Sequence, residues 1–478
     1  METAEKAYNL YKSSNIRPCV VVFKNQLPEI RQLASYDIKP LSVVILNKTL
    51  ENYPDNNIEI SSLYEFHSSF PIVYVRNEKD VLKVKDSFYK LHRTLVEYFP
   101  EWMPQDPAVC CPVYLEPIGG QNILSSLKNV EETGFLLTGL LDSRSLFPYL
   151  TEGVYSHVSS LVLLLSVFEA LSKVTRSDFK HNVHFLALSA EQYGQTGSKR
   201  FLKDLHDCNR DPNLYHCQSK FISNTEYLAF NHSKLKGIID LGALRSNKPY
   251  IRFSDSNSQF LVEKLQNIST PSIVYQPIQI DSYEFLSSFN SKIPKISLSD
   301  VSKVKETPLN FAFLDDLESY LQDQKDQVIS NLCQIGTNVA TLLYQLSTEK
   351  LTSVTVDCKL IEDFLHCFSS NFSCPIITDL YPVGTELPRR VLHNPRVFRP
   401  FLFSSLTEAV FLYFSKKTVT NSTDISCKDH SDCSGTAVCF DNFCKNTQTY
   451  NINSYGPGIY FDNDDGSWKA TNDEVGYI

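Results

Sequence analysis

Phe135-Leu-Leu-Thr-Gly-Leu-Leu-Asp142 is the stretch on which the fold turns. It is apolar at almost every position rather than at alternate ones. A strand of that kind is covered on both faces, as in a parallel sheet enclosed between helices. Working outward, Val154, Val158, Leu161, Leu165, Phe168 and Leu171 recur at three- and four-residue spacings and predict a helix over 154–174. Asn182-Val-His-Phe-Leu-Ala-Leu then reads as a second strand. Past Gly197 an amphipathic helix carries Phe201, Leu202 and Leu205, and Lys236-Gly-Ile-Ile-Asp-Leu forms a third buried strand. This β-α-β-α-β series predicts an α/β fold with a mostly parallel central sheet, flanking helices and right-handed crossovers. Sites in such sheets form at the carboxyl ends of the strands, where both Asp142 and Glu191 fall.

Upstream, Cys19-Val-Val-Val-Phe, Leu41-Ser-Val-Val-Ile-Leu and Pro71-Ile-Val-Tyr-Val are short β-branched runs that predict a small N-terminal α/β lobe. A boundary is expected in the Pro-rich stretch from Trp102 to Pro112, which holds Cys110 and Cys111. Past Lys350 the periodic signals weaken. Phe401 to Phe414 suggests a last helix of the large lobe, and a loop-rich Cys cluster follows. The expected division is a small lobe over 1–108, a large lobe over 109–417 and a Cys-rich C-terminal segment over 418–478.

The chain has 478 residues, enough for more than one core, with 42% apolar and 21% charged residues, the composition of a folded globular protein. A net charge of −9 without a Lys/Arg stripe excludes nucleic acid as an expected partner. The run from Val154 to Phe168 is about 15 residues long, short of the roughly 20 that span a bilayer, so a buried helix is expected there. Met1-Glu-Thr-Ala-Glu opens acidic, unlike a secretory leader. Thirteen Cys nevertheless point to an oxidising compartment. Cys427, Cys433, Cys439 and Cys444 are spaced more widely than the two-to-four-residue pairs of structural zinc sites, and two internal disulfides are expected among them. Cys208 and Cys217 are further disulfide candidates. Sequons at Asn47, Asn231, Asn267, Asn371 and Asn421 point the same way. The combination predicts a secretory-pathway glycoprotein whose leader lies outside this chain; a membrane anchor and a luminal or extracellular ectodomain are what the family resemblance below implies.

Two segments resemble signatures of the zinc-dependent aminopeptidases. Gly139-Leu-Leu-Asp-Ser parallels Gly-His-x-Asp-Ser, and Ala190-Glu-Gln-Tyr-Gly-Gln-Thr-Gly-Ser198 parallels Glu-Glu-x-Gly-x-x-Gly-Ser. The resemblance implies an aminopeptidase-like fold in which two zinc ions would be held by two His, two Asp and a Glu. Carried over position by position, the first His falls on Leu140, the bridging Asp on Ser156, the ligand Glu on Gln192 and the last His near Phe311, if Asp315 follows it. Only the second Asp is kept, as Asp240. Bound cofactor or metal is therefore not expected. His157, beside the lost bridging position, is expected to be a surface or capping residue. Glu191 occupies the general-base position. Without zinc it is left either to cap within the fold or to bind a substrate ammonium by a charge-assisted hydrogen bond.

A zinc-free aminopeptidase-like domain with sequons and a small N-terminal lobe resembles the nicastrin family, the large ectodomain subunit of the γ-secretase intramembrane protease. The resemblance is carried by Leu141-Asp-Ser-Arg-Ser-Leu-Phe, which parallels an Asp-Ser-Arg-Ser stretch, and by Gly153 to Ser160. Here Gly194-Gln-Thr-Gly-Ser stands where that family carries a motif ending in Tyr-Ile-Gly-Ser. The resemblance implies a non-catalytic subunit that gates or recognises type I membrane protein stubs with short ectodomains, in company with presenilin and the other γ-secretase subunits. Glu191, Gln192, Tyr193, Gln195, Asp142 and Asp240 are the substrate-binding candidates. Degenerate receptor ectodomains and active secreted zinc aminopeptidases are the competing classes.

Overall fold

The structure is a computed structural model. It describes residues 19–23, 30, 32–33, 35–36, 42–46, 72–75, 120–143, 152–191, 195–214, 217, 225–280, 289, 292–302, 315–322, 324–371, 402–415, 422–428, 432–433, 437–440, 442–453, 459–462 and 467–470. The chain forms two compact units, one of Met1–Tyr114 with Lys303–Ala312, the other of Leu115–Ser302 with Phe313–Ile478.

In the first unit, β1 (Cys19–Phe23), β2 (Ser42–Leu46) and β3 (Ile72–Val75) form a parallel sheet in that order. All three coincide with the β-branched runs of the sequence. Val20, Val22, Val43, Val44 and Ile45 are buried, which such uninterrupted apolar strands require.

The second unit is built on β4 (Gln121–Ser126), β5 (Gly134–Leu140), β6 (Asn182–Leu188), β7 (Gly237–Leu241), β8 (Tyr250–Phe253), β9 (Gln276–Gln279) and β10 (Lys295–Ser299). An eighth strand joins them from the Cys-rich segment, which contributes β11 (Ser422–Ser426), β12 (Ala437–Phe440), β13 (Phe443–Asn446) and β14 (Thr449–Asn453). The sheet order is β14-β4-β6-β5-β7-β10-β8-β9. Its centre, β6-β5-β7-β10, is parallel; β4 runs antiparallel to both β6 and β14, and β8 runs antiparallel to β10 but parallel to β9. β5, β6, β7 and β10 are buried at every position. The α/β class read from residues 135–142 is thus the one observed.

The crossover from β5 to β6 is a π turn, Val154–Val158, that continues into α1 (Ser159–Ser172). These 19 residues have a mean hydropathy of 1.6, enough by length and composition to cross a membrane, but all are buried within the protein. A helix apolar on every side belongs in a core. Its serines are accommodated internally: Ser159 Oγ–H donates to the Tyr155 carbonyl and Ser160 Oγ–H to that of His157. The Ser160 oxygen also accepts the Leu140 amide at 3.2 Å, tying α1 to the end of β5. On this side of the sheet Phe168 stacks edge-on with Phe185 and Phe411 at 4.9 Å. The opposite face is covered by α2 (Thr196–Arg210), with Leu124, Leu136, Leu186, Phe201, Leu205, Tyr450 and Ile452 in one apolar cluster.

Further helices are α3 (Gln259–Ile268), α4 (Leu317–Leu321), α5 (Lys325–Thr348), α6 (Cys358–His366) and α7 (Leu402–Ser415). Disulfides join Cys208 to Cys217, Cys333 to Cys358, Cys427 to Cys439 and Cys433 to Cys444. The last two fall within the cluster expected to be doubly bridged. The sulfurs of Cys427, Cys433 and Cys444 lie within 4.8 Å of one another because of these bonds, not as thiolates poised for zinc. The segment is more ordered than the loop-rich tail expected from sequence: β11, β13 and β12 form a small antiparallel sheet, and β14 completes the edge of the large one. Backbone pairing supplies what a short apolar core cannot. A two-stranded ribbon, β15 (Ile459–Asp462) with β16 (Ser467–Ala470), follows. The expected boundary at Trp102 to Pro112 lies outside the described residues.

Candidate functional site

The strands deliver their acidic residues to one edge of the sheet. β5 ends at Leu140, with Asp142 and Ser143 just beyond. β6 ends at Leu188 and leads through Ser189, Ala190 and Glu191 to α2. Ala190 and Gln195 adopt left-handed backbone angles, φ of 60° and 61°, that side chains other than glycine rarely take. Such strain persists only where the surroundings hold it. Here they do: Asp142 Oδ1 accepts the Glu191 amide at 3.0 Å, and the Gln195 amide donates to the Glu191 carbonyl at 3.0 Å. Gly197 closes the turn, since a Cβ on it would come within 2.0 Å of the Ser189 carbonyl oxygen.

Glu191 folds back on the helix it precedes. Its Oε2 accepts the Ser198 amide at 2.9 Å and its Oε1 accepts the Ser198 hydroxyl at 2.8 Å. A carboxylate over a helix N-terminus satisfies an otherwise orphaned amide and meets the positive end of the dipole. The side chain is only 2% exposed, and burial pushes its carboxyl up to about 7 against the pull of the Ser198 donors.

Asp315 performs the same office for the other crossover. It accepts the backbone amides of Tyr155 and Ser156, the latter at 2.8 Å, at the start of the π turn. Burial raises its carboxyl to about 7 as well. Asp240, in β7, accepts the hydroxyls of Thr138 at 2.7 Å from β5 and Ser297 at 2.9 Å from β10. Ser297 in turn accepts a guanidinium hydrogen bond from Arg252 at 2.9 Å. Burial raises the Asp240 carboxyl, and the two hydroxyls and Arg252 oppose it.

His157 corrects an expectation. Rather than lying at the surface, it is fully buried: the π turn directs all five of its residues inward. Its ring packs on Gly153, φ 66°, where a Cβ would stand 2.2 Å from the imidazole. Leu140 and Ser156 are buried at the carboxyl edge. Gln195 is half-buried at the head of α2. Gln192, Tyr193 and Phe311 lie outside the described residues, as do Asn47 and Asn421, and Asn371 is described by its backbone alone. Asn231 and Asn267 are both exposed, and the Ser233 hydroxyl of the first sequon donates to Asn231 Oδ1 at 2.8 Å.

Several organising residues carried no sequence signal. Asn122 reaches the Glu191 turn from β4, and Thr138 and Ser297 flank Asp240. They are single polar residues inside strands, and only the strand order reveals what they face. Collectively the edge is a set of buried carboxylates, each engaged by the protein's own donors.

A family model described as the nicastrin large lobe matches residues 134–319. Among curated proteins, nicastrin of Dictyostelium purpureum is 25% identical over 89% of this chain and 70% of its own length. Nicastrin of Dictyostelium discoideum is 23% identical over 75% of this chain and 60% of its own length. Nicastrin of Arabidopsis thaliana is 25% identical over 56% of this chain, which spans 42% of that protein. The crystal structure of the γ-secretase component nicastrin shares the fold with a TM-score of 0.71 and 20% identity, covering 98% of this chain and 90% of that one. The match to the family model therefore falls on the segment that holds β5, α1, β6, α2 and β7, and the chain is similar to these nicastrins over most of its length and shares the fold of the crystallised one.

Proposed function

We propose that this chain is a non-catalytic component of a γ-secretase-type intramembrane protease, and that it gates substrates by occlusion rather than by chemistry. The observation that carries this reading is the engagement of the edge carboxylates. Glu191, Asp240 and Asp315 are at most 4% exposed and accept hydrogen bonds from Ser198, from Thr138 and Ser297, and from Tyr155 and Ser156. The donor set does not fit the zinc pair of an aminopeptidase. Leu140 offers no lone pair, Ser156 is a poor bridging ligand, and Asp240 already has a donor on each oxygen.

The substrates would be type I membrane protein stubs with short ectodomains, and the partners presenilin and the remaining subunits. The exposed Asn231 and Asn267 suit glycan attachment on a luminal or extracellular face. Division into lobes at 1–108 and 109–417 and a C-terminal segment at 418–478 is part of the same proposal. Occlusion is favoured over an ionic grip on the substrate's amino terminus because Glu191 is buried and both its oxygens are bonded to Ser198.

The test is processing of a short stub by the assembled complex carrying Glu191→Gln, with free and acetylated stubs at matched assembly. Under occlusion turnover stays near wild type for both stubs. An ionic grip would instead weaken binding by about 1.5–3 kcal/mol, with no added loss on acetylation. Elemental analysis of the purified chain should find no stoichiometric zinc. Two zinc ions with chelator-sensitive aminopeptidase activity would overturn the proposal.

A further inference from the structure

We infer that Asn122 is the positioning residue of the Glu191 turn, its side-chain amide bridging the two legs between which Glu191 is held. Asn122 Oδ1 accepts the Ser189 amide at 2.8 Å, and Asn122 Nδ2 donates to the Gly197 carbonyl at 3.0 Å. Ser189 is the last residue before the first left-handed position, and Gly197 lies just past the second. One side chain, 67 and 75 residues distant in sequence, therefore joins the entry and exit of a turn whose backbone is otherwise unfavourable.

The placement violates local preference. Asparagine is disfavoured within strands, yet Asn122 stands inside β4, fully buried, opposite Ile452 of β14 and on the same apolar face as Leu124. A buried polar group in such a setting destabilises unless its hydrogen bonds are made, and breaches of local rules concentrate where a structure serves function. The β4 backbone pairs with β6 on one side and β14 on the other, leaving the amide to the turn. The edge strand of the Cys-rich segment thus buttresses the residue that shapes the turn. Because Glu191 and Gln195 stand between these two anchored positions, Asn122 governs how both are presented. This goes beyond the gating proposal and does not depend on it.

Amide hydrogen exchange on the full chain tests the inference, comparing Asn122→Asp with wild type at each pH so that intrinsic rates cancel. The aspartate keeps the acceptor for Ser189 but, when ionised, loses the donor to Gly197 and sets a charged oxygen against a carbonyl. At pH 8 the amides of 189–198 should exchange about tenfold faster or more, with a much smaller change in β6 and β7. At pH 5 the protonated acid regains an O–H donor, and the ratio should fall back toward one. Ser125→Ala, which removes the neighbouring hydroxyl pair with Thr449 at 2.8 Å, should leave the turn's relative protection unchanged. Uniform acceleration across the sheet, an unaffected turn, or no recovery at pH 5 would each overturn the inference. If Asn122→Asp does not fold, Asn122→Ser provides the same contrast between selective and uniform opening. The measurement uses the chain alone, so its failure is distinct from failure of the proposed role in a complex.

Discussion

Two helices begin beside the carboxyl edge of the sheet, and both begin under a buried carboxylate, but the carboxylates arrive from different distances along the chain. α2 is held by Glu191, seven residues before Ser198. The π turn that opens α1 is held by Asp315, 159 residues beyond Ser156. The chemistry is the same in both cases: backbone donors at a helix start, an acceptor whose burial raises its carboxyl to about 7. A local clamp can form with its helix. A distant one forms only when the late chain has come home, so the start of the central helix depends on completion of the fold.

The largest test of this contrast is Asp315→Ala. It orphans two buried amides, each costing about 1–3 kcal/mol, so a loss of about 3 kcal/mol is expected in urea unfolding. A loss below about 1 kcal/mol would show that solvent or a neighbouring group replaces the clamp. Glu191→Ala should cost less, about 2 kcal/mol, because one amide and one rotatable hydroxyl are affected. The double mutant with Ser198→Ala should show coupling of about 1 kcal/mol, whereas Glu191→Ala and Asp315→Ala should combine nearly additively. Strong coupling between the two clamps would mean that they are not separate devices.

Acidity offers a finer test. Both carboxyls have folded values of about 7, above ordinary values of 4.5 for Glu191 and 3.8 for Asp315. The folded state therefore holds these protons more tightly than the unfolded chain. The resulting stabilisation is complete below about pH 4 and is lost as pH rises toward and through 7. Melting temperature should fall between pH 5 and pH 8, and Asp315→Asn and Glu191→Gln should each flatten part of that slope. A profile unchanged by either substitution would show that other groups set it. The smallest effect is expected for Glu191→Gln at neutral pH, within about 1 kcal/mol of wild type by urea unfolding. Its amide oxygen still accepts from Ser198, and the cost of burying charge is removed.

The same contrast explains what was legible in the residues. β5, β6, β7 and the central helix were readable because continuous apolar runs and a 3.6-residue stripe are local consequences of burial on two faces. The four clustered Cys were readable from spacing, and the segment around Glu191 from its resemblance to an aminopeptidase signature. β4 and β14 were not: Asn122, Ser125 and Ser126 interrupt the apolar pattern of β4, and each finds its partner far away, in Ser189 and Gly197, in Thr449, and in His184. Burial drives the His184 imidazole down to about 4, keeping it a neutral partner for Ser126, which no local pattern announces. Cys333 and Cys358 stand 25 residues apart on different helices, a distance at which spacing carries no information.

The sequence by itself determined the fold class, the order of the central strands and helices, the disulfide-bridged segment and the convergence of Asp142 and Glu191 at one edge, because these follow from side-chain periodicity and short-range spacing. Only the tertiary structure decided that the edge carboxylates are buried and bonded internally, that His157 lies in the core, and that Asn122 and Asp315 hold the two crossovers. A hydrogen-bond partner is fixed by proximity in space and its strength by exclusion of water. Neither exists until distant segments have packed together.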